Sequence, residues 1–195
     1  MATEIFRDPD RYEIIGGNKF IQHGDTIAAG IIKSNLMILI GYHAQKNKLG
    51  CPFCNLKLDF SAEDIFRPDF VYYSAANPET VFDNVNKKIH GVPDMVAEIF
   101  SRSTMKRDIG IKKDIYERNG VKEYWMIDPW RETIEVYLLR DGKFEFDELY
   151  QNWNEDELAR LTDEERAAVK FEVPVNVLDG FTVKIKNIFS WYFEE

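Results

Sequence analysis

Cysteine and histidine, the residues that most often bind zinc, are scarce in this chain. Its 195 residues include two cysteines and three histidines. Cys51 and Cys54 form a C-x-x-C pair, but no second pair follows, and the spacings of His23, His43 and His90 match no zinc site. In an extended segment the two sulfur atoms would point to opposite faces. The sequence therefore favours neither a structural zinc ion nor a redox pair at these cysteines.

The chain also lacks an excess of basic residues and a secretory signal. It carries 25 Lys and Arg against 34 Asp and Glu, with a net charge of −9 and a pI near 5.0. A chain this acidic does not usually bind nucleic acid unless basic residues are gathered locally. The first residues, MATEIFRDPDRYEII, have no apolar core, and the apolar run 36–42 is too short to span a bilayer. We therefore expect a cytoplasmic, reduced protein without membrane contact.

Apolar periodicity and turn residues predict a mixture of helices and strands. The predicted elements are, in order, a hairpin turning at Gly16-Gly17, a helix from Thr26 to about Gln45, strands at 53–60 and 66–74, a loop at 77–84, a strand at 95–100, a helix at 101–120, strands at 121–128 and 133–139, a turn at Asp141-Gly142, a strand at 143–150, and a closing strand with a helical turn. Residues 151–170 are acidic and polar, and Thr162 with Glu165 makes a capping box, which indicates a surface insertion. The order predicts a single α/β (α+β) domain over residues 1–195, with a mixed β-sheet flanked by helices.

A glutamate stands in the middle of the apolar strand MVAEIF. Alternation places Glu98 on the same face as Val96 and Phe100. An unpaired buried carboxylate is costly, so Glu98 should lie near a cation, a metal ion or a hydrogen-bond donor. The alternative is an exposed glutamate on an edge strand, or one paired structurally with an arginine.

Two Pro-Asp pairs are candidates for a second acid. Asp94 shares a face with Glu98, but four residues of strand separate their α-carbons by roughly 13 Å. Ligands of one magnesium ion lie about 2.1 Å from it, so Asp94 is predicted to cap the start of its strand instead. Asp69, in RPDF, stands at the head of another strand. It is either a turn residue or an acid brought beside Glu98 by strand pairing.

The helix after Glu98 carries two adjacent lysines. At about 100° per residue, Lys112 lies on the apolar stripe with Tyr116, whereas Lys113 lies outside it. Lys112 could pair with Asp108 one turn earlier, its stem lying along the core, or it could reach toward Glu98. Two carboxylates and a lysine at the end of a sheet suit metal-assisted phosphodiester hydrolysis, in which the lysine orients water or stabilises the anionic transition state.

Five stretches of the chain resemble motifs of one family. They are YEIIGGNKF, RPDFVYY, PDMVAEIFSRST, RDIGIKKDIYERNGVKEYWMIDP with the later IEVY, and VLDGFTV. They are similar to the Uma-type family of restriction-endonuclease-like proteins in the PD-(D/E)xK nuclease superfamily. The resemblance implies a restriction-endonuclease-like core. It also implies a Mg²⁺ (or Mn²⁺) site at Asp69 and Glu98, with Lys112 as the catalytic lysine.

The chain departs from the usual pattern at two positions. The superfamily places the lysine two residues after the acid, where this chain has Phe100, so the resemblance assigns that role to Lys112 on the following helix. The family's opening hairpin usually has a glutamate just after the turn glycine, where this chain has Asn18. Asp108, Tyr116 and Asp128 also match family positions, and we interpret them as supporting the site or the fold.

The resemblance implies DNA as the partner and predicts an endonuclease. Arg102, Lys106 and Arg107 form a basic cluster that could contact phosphates, or simply a solvated helix face. A homodimer is expected because nucleases of this size often need two active sites to cut both strands. Two alternatives stay open: a weakly active or inactive module that binds DNA or protein, which Asn18 and the acidic charge favour, and a phosphodiesterase acting on RNA or a nucleotide.

Overall fold

Fourteen β-strands occur in the part of the chain that the computed structural model describes, residues 12–21, 24–83, 88–100 and 108–192. Their bounds are, in chain order, β1 Tyr12–Ile15, β2 Asn18–Ile21, β3 Gly50–Phe53, β4 Leu58–Asp59, β5 Ile65–Phe66, β6 Phe70–Ser74, β7 Val81–Asp83, β8 Lys88–His90, β9 Met95–Ile99, β10 Glu123–Asp128, β11 Thr133–Arg140, β12 Lys143–Gln151, β13 Glu172–Pro174 and β14 Thr182–Lys184.

The helices in the described residues are short, except for the first one. They are α1 Ile27–Leu36, α2 Tyr42–Lys46, α3 Lys113–Arg118, α4 Glu155–Ala159, α5 Asp163–Ala168 and α6 Ile185–Phe189. Two π-helical segments, Met37–Gly41 and Asp108–Lys112, lead directly into α2 and α3. The first helical run begins where the sequence predicted it, because the Thr26 hydroxyl accepts a hydrogen bond from the Ala29 amide at 3.2 Å.

A six-stranded mixed sheet forms the centre of the fold, as predicted. Its order is β12-β11-β10-β9-β6-β3, and β9 and β10 run parallel while the other neighbours are antiparallel. Every residue of β10 is buried, because helices or loops cover both faces of the sheet. Because β9 and β10 are parallel, the chain between them crosses one face of the sheet. This crossover contains the second π-helical segment and α3.

Each face of the central sheet packs a separate apolar core. Ile32, Leu36, Ile40 and Ala44 of the first helical run pack with Trp125 on one face. The opposite core is formed by residues of β6, β9, α3 and β10, chiefly Val71, Val96, Phe100, Ile115, Tyr116, Tyr124 and Met126. The run Ile27–Lys46 has the length and apolar composition of a membrane-spanning helix, at 20 residues. Its four core residues, Ile32, Leu36, Ile40 and Ala44, recur every four positions, so packing on the sheet accounts for the apolar character of that stripe.

The sequence prediction was wrong at two places around the central sheet. Residues 77–84 were predicted as a loop, but β7 lies within them and pairs with β8. The predicted strands 53–60 and 66–74 are each interrupted. Asn55 adopts a left-handed conformation at φ 54°, and its amide bonds the Pro68 carbonyl at 3.1 Å, so the chain leaves the central sheet there. The segment that leaves forms β4 and β5, which join β1 and β2 in a small four-stranded sheet.

The predicted surface segment contains α4 and α5, neither of which buries a residue. The predicted capping box at Thr162 and Glu165 is present, and a second one joins Asn154 and Glu157. Each box satisfies amide groups at a helix start, which lets helices of five and six residues form with little help from packing.

Candidate active site

The two predicted acids meet at one end of the central sheet. Phe70 of β6 pairs with Ala97 of β9, so Asp69 and Glu98 are the next residues outward on the two neighbouring strands. Asp69 is fixed there because its Oδ2 accepts a hydrogen bond from the Ile99 amide at 2.8 Å. Glu98 is buried within β9. Asp69 is therefore not a simple turn residue, and Glu98 is not an exposed edge-strand glutamate.

Lys112 reaches this end of the sheet from the crossover. Its Nζ lies 3.1 Å from Glu98 Oε1, and its side chain is 4% exposed. Tyr116, one turn further along, donates a hydrogen bond from its hydroxyl to the same Glu98 oxygen at 2.6 Å. Lys113 points away, and its Nζ lies 3.3 Å from the centre of the Tyr137 ring. The predicted separation of the adjacent lysines is present, and Lys112 takes the orientation toward Glu98.

A third carboxylate, which the sequence prediction missed, completes the surroundings of Lys112. Glu13 Oε1 lies 3.0 Å from Lys112 Nζ and also accepts a hydrogen bond from the Arg67 amide at 3.0 Å. Glu13 lies on β1, in the small sheet, and is buried. The sequence contained a signal for this, because Glu13 and Ile15 are two positions apart on the strand and therefore lie on the same, buried face of the hairpin.

A second lysine, also missed, lies on the other side of Asp69. Lys33 of α1 is buried, and its Nζ lies 3.5 Å from Asp69 Oδ1 and 2.5 Å from Asp25 Oδ2. It also donates a hydrogen bond to Asn55 Oδ1 at 3.4 Å. In the sequence Lys33 stands next to the buried Ile32, on the edge of the apolar stripe of the helix. A lysine at that position is usually interpreted as a stem lying along the core with its charge in water.

Burial and charge act against each other on the site residues. Burial raises the pKa of Asp69, whereas the Ile99 amide and the ammonium groups of Lys33 and Lys112 lower it, and burial has the largest effect. Burial and the neighbouring Glu98 raise the pKa of Tyr116 well above its ordinary value, so its hydroxyl stays protonated and donates. Among the described residues, four carboxylates contact two lysines here, a formal excess of negative charge within that set.

Three other residues that the sequence singled out have hydrogen-bond partners of their own. Asp94 accepts hydrogen bonds from the Ser74 amide at 2.7 Å and the Lys122 ammonium at 2.7 Å, so it caps the start of β9 as predicted. Asp128 accepts bonds from the amides that follow it at the β10–β11 turn, at 2.8 and 3.1 Å. Asn18 is exposed and donates to the Gly16 carbonyl of its own turn at 3.2 Å.

The side chain of Asp108 and the residues Arg102, Lys106 and Arg107 lie outside the described part of the chain.

Cys51 and Cys54 are free thiols. Burial raises the pKa of Cys54 to about 11, which disfavours the thiolate that metal binding or redox chemistry needs.

The donor atoms at the acids fit a hard divalent cation. Asp69 and Glu98 offer carboxylate oxygens, the ligands that Mg²⁺ and Mn²⁺ prefer, within a site of excess negative charge. Among the described residues, no group of three or more Asp, Glu, His or Cys side chains is arranged to hold a metal by itself. An ion held by Asp69 and Glu98 could complete its shell with water or substrate oxygens, as Mg²⁺ commonly does.

Comparison with known proteins assigns the family. The family model Uma2, described as "Putative restriction endonuclease", matches residues 2–174. The chain belongs to the Uma2 family. A crystal structure of a "putative nuclease belonging to DUF820" from Anabaena variabilis ATCC 29413 shares its fold, with a TM-score of 0.70 and 19% sequence identity. The superposition covers 92% of this Uma2 chain and 90% of the other. No protein with curated annotation matches the chain.

Proposed function

We propose that this Uma2 protein is a metal-dependent DNA endonuclease that hydrolyses phosphodiester bonds at the end of the central sheet. The observation that carries the proposal is the contact of Lys112 with Glu98, beside Asp69. Acids from two adjacent strands and a lysine from the following crossover meet within a largely buried site. This arrangement suits hydrolysis of a phosphodiester, because the reaction builds negative charge on the phosphoryl oxygens and needs a positioned nucleophile.

Asp69 and Glu98 would hold Mg²⁺ or Mn²⁺, which when bound supplies a Lewis acid and a water of lowered pKa. The Ile99 amide fixes the direction of Asp69. Tyr116 and Lys112 fix that of Glu98 by donating to the same oxygen. Both carboxylates are thus oriented before any ligand binds, which reduces the reorganisation that binding would require.

Lys112 would act on the substrate rather than only on Glu98. Its ammonium group lies 3.0 Å from Glu13 and 3.1 Å from Glu98, and these two carboxylates fix its position. In that position it can donate a hydrogen bond to the attacking water or to a phosphate oxygen as charge develops there. Glu13 holds the lysine from the opposite side, and we propose that it positions Lys112 without contacting the substrate.

The partner is proposed to be DNA, and the acting species a homodimer. A chain of net charge −9 needs a local attraction for phosphates, and the bound cation together with Lys112 would supply one at the scissile position. Two copies would be needed to cut both strands of a duplex, since the described residues of each chain form one such set of acids.

The test is cleavage of supercoiled plasmid by the purified protein with Mg²⁺ or Mn²⁺, alongside Glu98→Ala and Lys112→Ala. Nicking by the wild type that both variants lose supports the proposal. Equal nicking by all three proteins, or no nicking with any metal, contradicts the proposal. An electrophoretic mobility shift on the same plasmid separates the alternatives: DNA binding without nicking indicates an inactive binding module. Nicking of RNA but not DNA would change the substrate class.

A further inference from the structure

Lys33 has surroundings that resemble those of a metal ion more than those of a surface lysine. Three oxygens from three separate segments face its ammonium group: Asp25 Oδ2 at 2.5 Å, Asn55 Oδ1 at 3.4 Å and Asp69 Oδ1 at 3.5 Å. The Lys33 side chain is 7% exposed. A buried ammonium is stable only when its three donors find acceptors, and this one has an acceptor for each.

Asp69 is the residue that links Lys33 to the proposed active site. Its Oδ1 faces Lys33 on one side, and its Oδ2 is held by the Ile99 amide on the other. In sites with two metal ions, the ions lie about 3.5–4 Å apart on either side of the reacting phosphate. A carboxylate at such a site commonly contacts both cations. The Lys33 ammonium is a cation in contact with Asp69, on the oxygen that the Ile99 amide does not bond.

We propose that Lys33 is a fixed cation that positions Asp69 and takes the place of a second divalent ion. This inference rests on the proposed function, because it concerns the site at Asp69 and Glu98. An ammonium group cannot coordinate a water as a Lewis acid, so Lys33 supplies charge and orientation only. The protein would therefore bind one divalent ion per chain. The oxygens of Asp25, Asn55 and Asp69 would accept another ion only when the lysine is removed.

The test is the number of Mn²⁺ ions bound per folded chain, measured by electron paramagnetic resonance of the free ion during titration. We expect one ion for the wild type and two for Lys33→Ala. Lys33→Arg keeps the positive charge and should bind one. The double variant Asp25→Asn with Lys33→Ala lacks one charged ligand of the opened position and should return to one ion, or bind the second at least about tenfold more weakly.

Lys46 provides the matched control, because it is an exposed lysine of the same helical run whose Nζ lies 5.5 Å from the centre of the Tyr42 ring. Lys46→Ala should bind one ion. Circular dichroism checks that each variant is folded, and Lys33→Gln replaces Lys33→Ala if the latter does not fold.

The possible results separate this inference from the proposed function. Two ions on the wild type, or one ion on every folded variant at Lys33, overturn the role of Lys33 while leaving the nuclease proposal standing. No ion on the wild type overturns both. One ion on the wild type, two on the variant without the lysine and one on Lys33→Arg support the inference, and a purely structural role for Lys33 would not change this number.

Discussion

Lys112 Nζ lies 3.1 Å from Glu98 Oε1, although 14 residues separate the two along the chain. On β9 itself, the position two residues after the acid is taken by Phe100, which packs into the core below α3. The crossover then returns a lysine to the acid from above the sheet. The same ammonium contacts Glu13 at 3.0 Å, so one cation joins the central sheet, the crossover and the small sheet.

Glu13 should matter for activity without being required for folding. Glu13→Gln keeps the size of the side chain and its acceptor for the Arg67 amide, but removes one of the two carboxylates that hold Lys112. We expect plasmid nicking to slow by about 10–100-fold, the usual effect of losing a partner that orients a site residue. The rate is measured at saturating Mg²⁺.

Glu63 provides the control for this substitution because it is exposed and is not one of the carboxylates that contact Lys112 among the described residues. Glu63→Gln should nick at the wild-type rate. If Glu13→Gln also nicks at that rate, Lys112 does not need its second carboxylate.

Tyr116 should act through its hydrogen bond rather than through its ring. Tyr116→Phe keeps the aromatic packing against Phe66 and Tyr124 but leaves Glu98 Oε1 with one donor fewer. We expect a loss of about 1–2 kcal/mol in the free energy of unfolding, as is usual when a buried hydrogen bond is removed. We also expect Mg²⁺ affinity to fall, measured by calorimetric titration. Tyr42→Phe, at an exposed tyrosine, should change neither quantity.

The elements that the sequence predicted well are those whose pattern is set by local packing. The first helix buries the apolar residues Ile32 and Leu36 four positions apart and has a threonine cap, and β9 and β10 are short apolar runs between turns. The interruptions of the predicted strands 53–60 and 66–74 were missed. They depend on one left-handed residue, Asn55, and on pairing of β5 with β1 in the small sheet. The two paired strands are far apart along the chain, so a short stretch of sequence does not show the pairing.

The site residues that the sequence predicted are likewise those with a local signal. Glu98 stood out as a carboxylate in an apolar strand, and the helical period separated Lys112 from Lys113. Glu13 and Lys33 did not stand out, because a single buried charge on a hairpin or helix edge has an ordinary local explanation. Their partners come from segments far along the chain: Lys33 meets Asp69 only after α1 has packed on the central sheet.

The two Pro-Asp pairs should give opposite results when each aspartate is changed to asparagine. Asp69→Asn removes a proposed metal ligand whose ionised form is disfavoured by burial, so folding should be retained while nicking and Mn²⁺ binding are lost. Asp94→Asn removes the charge that bonds the Ser74 amide and Lys122. It should lower the free energy of unfolding by about 1–3 kcal/mol.

The two variants control for each other. Asp94→Asn should retain nicking per folded molecule at a temperature below its unfolding transition, because Asp94 has no contact with Glu98 or Lys112 in the described residues. Loss of nicking in both variants, with both folded, would mean that Asp94 belongs to the site.

Glu123 should give the stability of the protein a characteristic dependence on pH. It is buried, and its carboxylate accepts hydrogen bonds from Trp125 Nε1 within β10 at 2.7 Å and from the Val177 amide at 2.9 Å. The second bond anchors the C-terminal segment to β10. Burial nevertheless raises its pKa above the ordinary 4.5. A raised pKa means that the folded state binds the proton more tightly than the unfolded state. Its contribution is therefore fully present below about pH 4.5 and is lost as the pH rises through the folded-state value.

Urea unfolding of the wild type and Glu123→Gln, between about pH 4 and pH 8, measures this contribution, because the glutamine does not titrate. The stability of the wild type relative to the variant should fall as the pH rises. Glu117 provides a control of opposite sign: its hydrogen bond from Lys143 holds its pKa below the ordinary value, so its contribution is present above about pH 4.5 and is lost as the pH falls. Relative to Glu117→Gln, the wild type should therefore gain stability as the pH rises. A flat difference for Glu123→Gln across the range would show that its hydrogen bonds compensate fully for burial of the charge.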